Sequence, residues 1–174
     1  MTRQQLIERI CETALLRGQF TLRSGKTSNY YLDKYRFETR PDILAAVGKL
    51  FAEHIDDSIT RLAGPELGGV MLVAAVSLET NLPAVLIRNR KKDYGTANAI
   101  EGVLEKGDRV LIVEDVVTTG GQVIEAADAV VEAGAQVAKI VAVIDRQEGG
   151  AENIRGAGFG FDSLFTKGDL GVEG

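Results

Sequence analysis

Glu114 and Asp115 are adjacent acids, and the chain continues through Thr118, Thr119, Gly120 and Gly121. Carboxylates accept hydrogen bonds from paired hydroxyls such as those of a ribose. Threonine hydroxyls donate, glycines allow close approach, and a helix opening there adds unpaired N–H groups and the positive end of its dipole. The combination suits a sugar phosphate, with the acids on the sugar and the turn on the phosphate.

Such groups need a rigid platform. Val110, Leu111, Ile112 and Val113 form an unbroken apolar run, the pattern of a parallel strand covered on both faces. A strand over 109–114 places the acids at its carboxyl end, where open α/β sheets bind ligands. A helix follows over 122–133, ended by Gly134. Further strands are expected over 61–64, 84–88 and 137–145, with an apolar helix over 70–78 and a last strand over 159–165. Alternation of this kind predicts an α/β fold with a central parallel sheet flanked by helices. A strand ending in acids before a threonine cap also occurs in proteins without a ligand there, so the reading rests on the whole string RVLIVEDVVTTGGQ at 109–122.

Ahead of the sheet, Thr2 and Gln5 form a capping-box pattern, and apolar spacing predicts a helix to Leu16, stopped by Gly18. Strands over 20–23 and 28–33 bracket a turn as a hairpin. Pro41 suits the first turn of a second helix, with Ile43, Leu44, Val47, Leu50, Phe51 and Ile55 on one face. Residues 89–104 are longer than a tight connection needs, which marks a mobile binding loop or lid.

The 174 residues and 45% hydrophobic content fit a single domain, and the net charge of −5 argues against a general nucleic-acid binder. Charge is uneven: residues 1–40 hold eight Lys or Arg against four acids, and residues 88–92 hold four cations, so anions are attracted locally. Cys11 is the single cysteine and lies on an apolar helical face; His54, the single histidine, has a surface or capping place near a helix end. Neither makes a metal or thiol site. No signal peptide or membrane-length apolar run is visible, so a cytoplasmic protein is expected, with no membrane and no nucleic acid among its partners. The glycine-rich stretch 64–69 lacks the Lys-Ser/Thr of a P-loop, and no Gly-x-Gly-x-x-Gly follows a predicted strand.

The string at 109–122 resembles the 5-phosphoribosyl 1-diphosphate (PRPP) signature of type I phosphoribosyltransferases. Three further segments narrow the resemblance: FTLRSGKTSNYYLD at 20–33, RNRKKDYG at 88–95 and DRQE at 145–148 are similar to the amino-terminal substrate segment, catalytic loop and base-recognition segment of orotate phosphoribosyltransferases. The resemblance implies the type I fold over residues 1–174: a core over 60–147, a small N-terminal helix and hairpin hood over 1–40, and the mobile loop over 89–104.

It also implies transfer of phosphoribosyl from PRPP to orotate, giving orotidine 5′-monophosphate and diphosphate in pyrimidine synthesis. Carried over residue by residue, Glu114 and Asp115 hold the ribose hydroxyls, and the 5′-phosphate sits on Thr118, Thr119, Gly120 and Gly121, with Val116, Val117 and Gln122 completing the PRPP segment. Lys26, Arg88, Lys92 and Tyr94 contact PRPP or its diphosphate, and Lys26, Lys92 and Asp115 are the expected catalytic residues. Arg146 pairs with the orotate carboxylate, and Thr118 borders the base. Mg2+ is the implied cofactor, held mainly by PRPP and water rather than directly by protein. A homodimer is implied, in which the basic loop completes the neighbour's site. Glu66 reaches the diphosphate only through water or metal, or serves structure alone.

Three positions depart from the family pattern. Asn89 and Tyr94 stand where many members carry Lys and His, and Leu67 where some carry Lys; Arg90 and Lys91 are neighbouring cations. Two rival readings share the central motif. A purine or uracil phosphoribosyltransferase is disfavoured by residues 20–34 and 145–148. A non-catalytic PRPP-sensing regulator would need a basic nucleic-acid module, for which the stretch before the first core strand leaves little room.

Overall fold

The computed structural model describes residues 1–21, 25, 27–89 and 99–172. The chain opens with α1 (Arg3–Ala14), where the Thr2 hydroxyl accepts the Gln5 N–H at 3.2 Å and the Gln5 side chain accepts the Thr2 N–H at 2.8 Å. Each satisfies an otherwise orphaned donor. The helix stops at Ala14, short of the expected Leu16, because Leu15 already belongs to a strand. β1 (Leu15–Thr21) pairs antiparallel with β2 (Thr27–Leu32), Leu15 opposite Leu32 and Leu16 opposite Tyr31. Gly18 therefore ends no helix; it lies inside β1 at the register shift between Arg17 and Phe20. Period-3.6 spacing cannot reveal that handover, since Leu15 and Leu16 serve either element.

The Asp33 N–H donates to Ala14 O at 2.9 Å, which ties the hairpin's end back to α1. A short helix that sequence spacing did not indicate, α2 (Lys34–Glu38), follows at once. Next comes α3 (Pro41–Ala52), with proline at its first position and Ile43, Val47 and Phe51 buried.

The remaining elements are β3 (Arg61–Pro65), α4 (Gly68–Thr80), β4 (Ala84–Ile87), β5 (Ile100–Glu101), β6 (Arg109–Val117), α5 (Gly121–Glu132), β7 (Gln136–Asp145), α6 (Gly150–Gly156) and β8 (Phe161–Thr166). They build a six-stranded sheet of order β5-β4-β3-β6-β7-β8. Every pairing is parallel except β5 on β4. Strand β5 and helix α6 were not anticipated. β5 has two residues and falls inside the span expected to be loop; α6 has seven, too few to show a period. β8 is the last strand expected over 159–165, and it pairs parallel with β7.

Period-2 alternation divides the sheet between two cores. Leu111, Val113, Val141 and Val143 face Leu6, Ile10, Phe37, Phe51 and Leu72 of the first four helices. Val110, Ile112, Ile140 and Ala142 face Val123, Ala127, Val130 and Ile154 of α5 and α6. Cover on both faces explains the unbroken apolar run. Strand order reverses between β3 and β6, so the crevice beyond their carboxyl ends is the topological switch point, the place where such sheets bind ligands.

Candidate active site

A cleft lies at that crevice. Glu114, Asp115, Val116, Val117, Thr118, Thr119, Gly120, Gly121 and Gln122 line one side of it; Lys34, Pro65, Glu66, Gly68 and Asn89 line the other. The whole expected PRPP segment is thus brought together. β6 runs three residues further than expected, to Val117, so the two acids occupy its final turns of pleat and their backbone is held by β7.

Both acids are buried. The Asp115 N–H donates to Glu114 Oε1 at 3.0 Å, and the Val116 N–H donates to Asp115 Oδ1. Lys34 Nζ donates to Asp115 Oδ2 at 2.5 Å. Each carboxylate oxygen has a second lone pair, so these contacts fix the group and leave acceptor capacity for a sugar hydroxyl. Burial, then the neighbouring Asp115 charge, pushes the Glu114 carboxyl well above its ordinary range. For Lys34, burial works against the charge, while attraction to Asp115 and the hydrogen bond it donates to that carboxylate prevail and raise its pKa.

The turn after Val117 is built for an anion. Gly120 has φ +82°, a left-handed conformation that strains other residues, and it precedes α5 with no side chain capping the helix. The first N–H groups of α5 are thereby left for a ligand. A Cβ at Gly121 would meet nothing within 4 Å, so the space above the turn is open. From beneath, Asn153 Nδ2 donates to Thr119 O at 2.9 Å. Gly150 packs so closely that a Cβ would fall 2.3 Å from Val117 Cγ1 and 2.7 Å from Thr118 O.

Other expected residues sit at the margins. Arg88 does not line the cleft; it borders the adjoining depression with Asn89 and Gln122, its N–H donating to Ala99 O at 2.8 Å and its guanidinium 3.8 Å from Glu101. Arg146 also lies off the cleft lining. Its N–H donates to Val117 O at 2.9 Å, which sets it beside the turn, and its guanidinium pairs with Glu148 at 2.9 Å. Glu66 has a structural tie, accepting the Asn89 N–H at 2.9 Å. Leu67 is exposed. Lys26, Arg90, Lys91, Lys92 and Tyr94 lie outside the described residues.

Sequence reasoning missed Lys34, Glu38, Gly68, Gly150 and Asn153. Glu38 is 2% exposed, and burial, then the Asp115 charge, pushes its carboxyl up to about 8 against the pull of Lys34. A signal was present for Lys34 alone, which directly follows the substrate-like segment 20–33. The others act through contacts that only the fold creates.

A phosphoribosyl transferase domain is matched over residues 36–166, three quarters of the chain. An orotate phosphoribosyltransferase of Pyrococcus horikoshii is 48% identical over 88% of this chain and 84% of its own length. The chain belongs to the orotate phosphoribosyltransferase family. A second orotate phosphoribosyltransferase, from Natronomonas pharaonis, is 43% identical over 98% of both chains. Among solved structures, the Mycobacterium tuberculosis orotate phosphoribosyltransferase in complex with PRPP superposes with a TM-score of 0.83, at 31% identity over 98% of this chain and 99% of that one. Family membership accounts for the four sequence segments and for the mostly parallel sheet together. Among the described residues, no helix is long and apolar enough to cross a membrane.

Proposed function

We propose that this protein, acting as one domain in the cytoplasm, transfers the phosphoribosyl group of PRPP to orotate, releasing diphosphate and forming orotidine 5′-monophosphate for pyrimidine synthesis. The observation that carries the reading is the meeting of Glu114 and Asp115 with the open turn 118–121 in one cleft at the switch point. The PRPP complex of the M. tuberculosis relative supports PRPP as the donor.

In this reading the ribose hydroxyls donate to Glu114 and Asp115. The 5′-phosphate rests on the N–H groups and hydroxyls of Thr118, Thr119, Gly120 and Gly121. The bond between ribose C1 and diphosphate breaks as orotate nitrogen bonds to C1, and positive charge spreads over the sugar in between. Orotate is already anionic, so positioning and electrostatics outweigh proton transfer. Arg146 takes the orotate carboxylate through its planar fork, the substrate displacing Glu148 from the guanidinium. Lys26, Arg88, Lys92 and Tyr94 neutralise or contact the departing diphosphate, with Lys92 serving the neighbouring subunit of a homodimer.

Magnesium fits the donor set. Among the described residues, no cluster of His, Cys, Asp or Glu is arranged to hold a metal directly. Mg2+ favours oxygen ligands, keeps several waters and enters with substrate phosphates. Glu66, at the cleft beside Gly68, would reach it through water, and the ion would supply charge neutralisation on the diphosphate.

The test is diphosphate release from PRPP and Mg2+ with orotate, uracil, adenine and hypoxanthine in parallel. Turnover with orotate alone is expected, abolished by chelator and restored by Mg2+. Turnover with a base lacking a carboxylate, or none with orotate, would overturn the reading.

A further inference from the structure

Three carboxyl groups, of Glu38, Glu114 and Asp115, interact within one buried cluster, and Lys34 is the cation that answers them. We propose that Lys34 is a positioning residue for Asp115, which it holds against Gly68 so that the carboxylate faces the sugar of the bound donor. The inference rests on the function proposed above and adds to it a residue and a mechanism of alignment.

Three contacts define the Asp115 carboxylate. Lys34 Nζ is 2.5 Å from Oδ2, and the Val116 N–H occupies Oδ1. Gly68 supplies the third: a Cβ there would fall 1.4 Å from Oδ2 and 2.5 Å from Cγ, so the carboxylate lies in the space that any other residue would fill. A rotamer pinned on three sides is already paid for before substrate arrives, and it need not reorganise at the moment of reaction.

Electrostatics makes the lysine necessary as well as convenient. Glu38 is almost wholly buried, and its Oε1 has no hydrogen-bond partner. Without Lys34, Asp115 would keep two acids for neighbours and lose the ammonium that pairs with it among the described residues. Its side chain would then be free to turn away, which removes an acceptor from the sugar. Lys34 is also well anchored. It opens α2 directly after the hairpin, whose last pair is Leu15 with Leu32, and Asp33 N–H is bound to Ala14 O. The hood that carries the substrate-like segment thus reaches the sugar site through the Lys34–Asp115 ion pair.

Steady-state kinetics on the full chain test this with Lys34→Met, Lys34→Arg and Gly68→Ala, each checked for folding by thermal melting. Lys34→Met is expected to raise the KM for PRPP by about tenfold or more, as losing a hydrogen bond between charged groups does, with the orotate KM nearly unchanged. Lys34→Arg should restore most of that loss, and Gly68→Ala, which favours the helix but displaces Asp115, should reproduce it. A folded Lys34→Met with the wild-type KM for PRPP overturns the proposal while leaving the function standing. Should Lys34→Met not fold, a wild-type KM in Gly68→Ala does the same. Absence of orotate-dependent diphosphate release from the wild type would remove the function and this inference with it.

Discussion

Arg61 Nε lies 3.0 Å from Asp108 Oδ2, at the end of the sheet away from the cleft. The same carboxylate accepts the Thr60 hydroxyl and the Glu105 N–H, each at 2.8 Å, so one buried acid joins the entrances of β3 and β6. Removing it leaves the guanidinium of Arg61, only 13% exposed, without its counter-charge. Asp108→Ala is therefore expected to cost about 3–5 kcal/mol in urea unfolding, with little change in the KM for PRPP. Burial pushes the Asp108 carboxyl up, and bonds from Glu105, Thr60 and Arg61 more than reverse this, holding it below its ordinary 3.8. A depressed pKa gives stability that is full above the unfolded value and fades as pH falls through the folded one. Asp108→Asn should accordingly lose the steepest part of the wild type's acid-side decline.

Glu38 predicts the opposite slope. Burial, then the Asp115 charge, pushes its carboxyl up to about 8 from an ordinary 4.5, against the pull of Lys34. The folded chain keeps a proton that the unfolded chain releases, so this contribution is full below pH 4.5 and declines as pH rises toward 8, by up to roughly 1.4 kcal/mol per unit. Thermal melts from pH 5 to 8 should fall less steeply for Glu38→Gln than for the wild type. A residual slope is expected from Glu114, which is shifted in the same direction. Identical slopes would refute the buried-acid account.

Gly150 supports the 118–121 turn. A methyl group there meets Thr118 O at 2.7 Å, and backbone cannot yield as a flexible side chain does. Gly150→Ala should destabilise by about 1–3 kcal/mol through overpacking and raise the KM for PRPP as the turn is displaced. A crystal structure of the variant showing the 118–121 turn unmoved would count against this.

Arg146 should separate the two substrates. Arg146→Ala is expected to raise the orotate KM while largely sparing that for PRPP. An unchanged orotate KM would argue against the carboxylate role.

Lys92→Ala is expected to cut turnover by orders of magnitude with melting unchanged, because a leaving diphosphate needs a cation to neutralise it. Normal turnover would remove Lys92 from the mechanism.

The sheet and the strand-to-turn course of residues 109–121 were legible in the chain because each rests on local pattern: continuous apolar runs for buried strands, glycine and threonine for the turn. Glu114 and Asp115 could be placed at a strand's carboxyl end from neighbours alone. What surrounds Asp115 could not. Lys34 is 81 residues away in sequence, and Glu38 reads as an ordinary surface acid until α2 carries it inward. Gly68 and Gly150 are needed for what the fold presses against them, which no spacing rule reports. The handover at Leu15 and the seven-residue α6 fell below the length at which periodicity discriminates.

The division of the core into two faces bears on how the protein tolerates change. Lys34, Glu38 and Gly68 approach β6 with the helices of one face, while Gly150 and Asn153 support the turn with those of the other. Among the described residues the two sets share no hydrogen-bond partner. Epistasis should therefore be weak across the sheet and strong within either face, so that lineages can drift in how they brace Asp115 without retuning how they support the 118–121 turn.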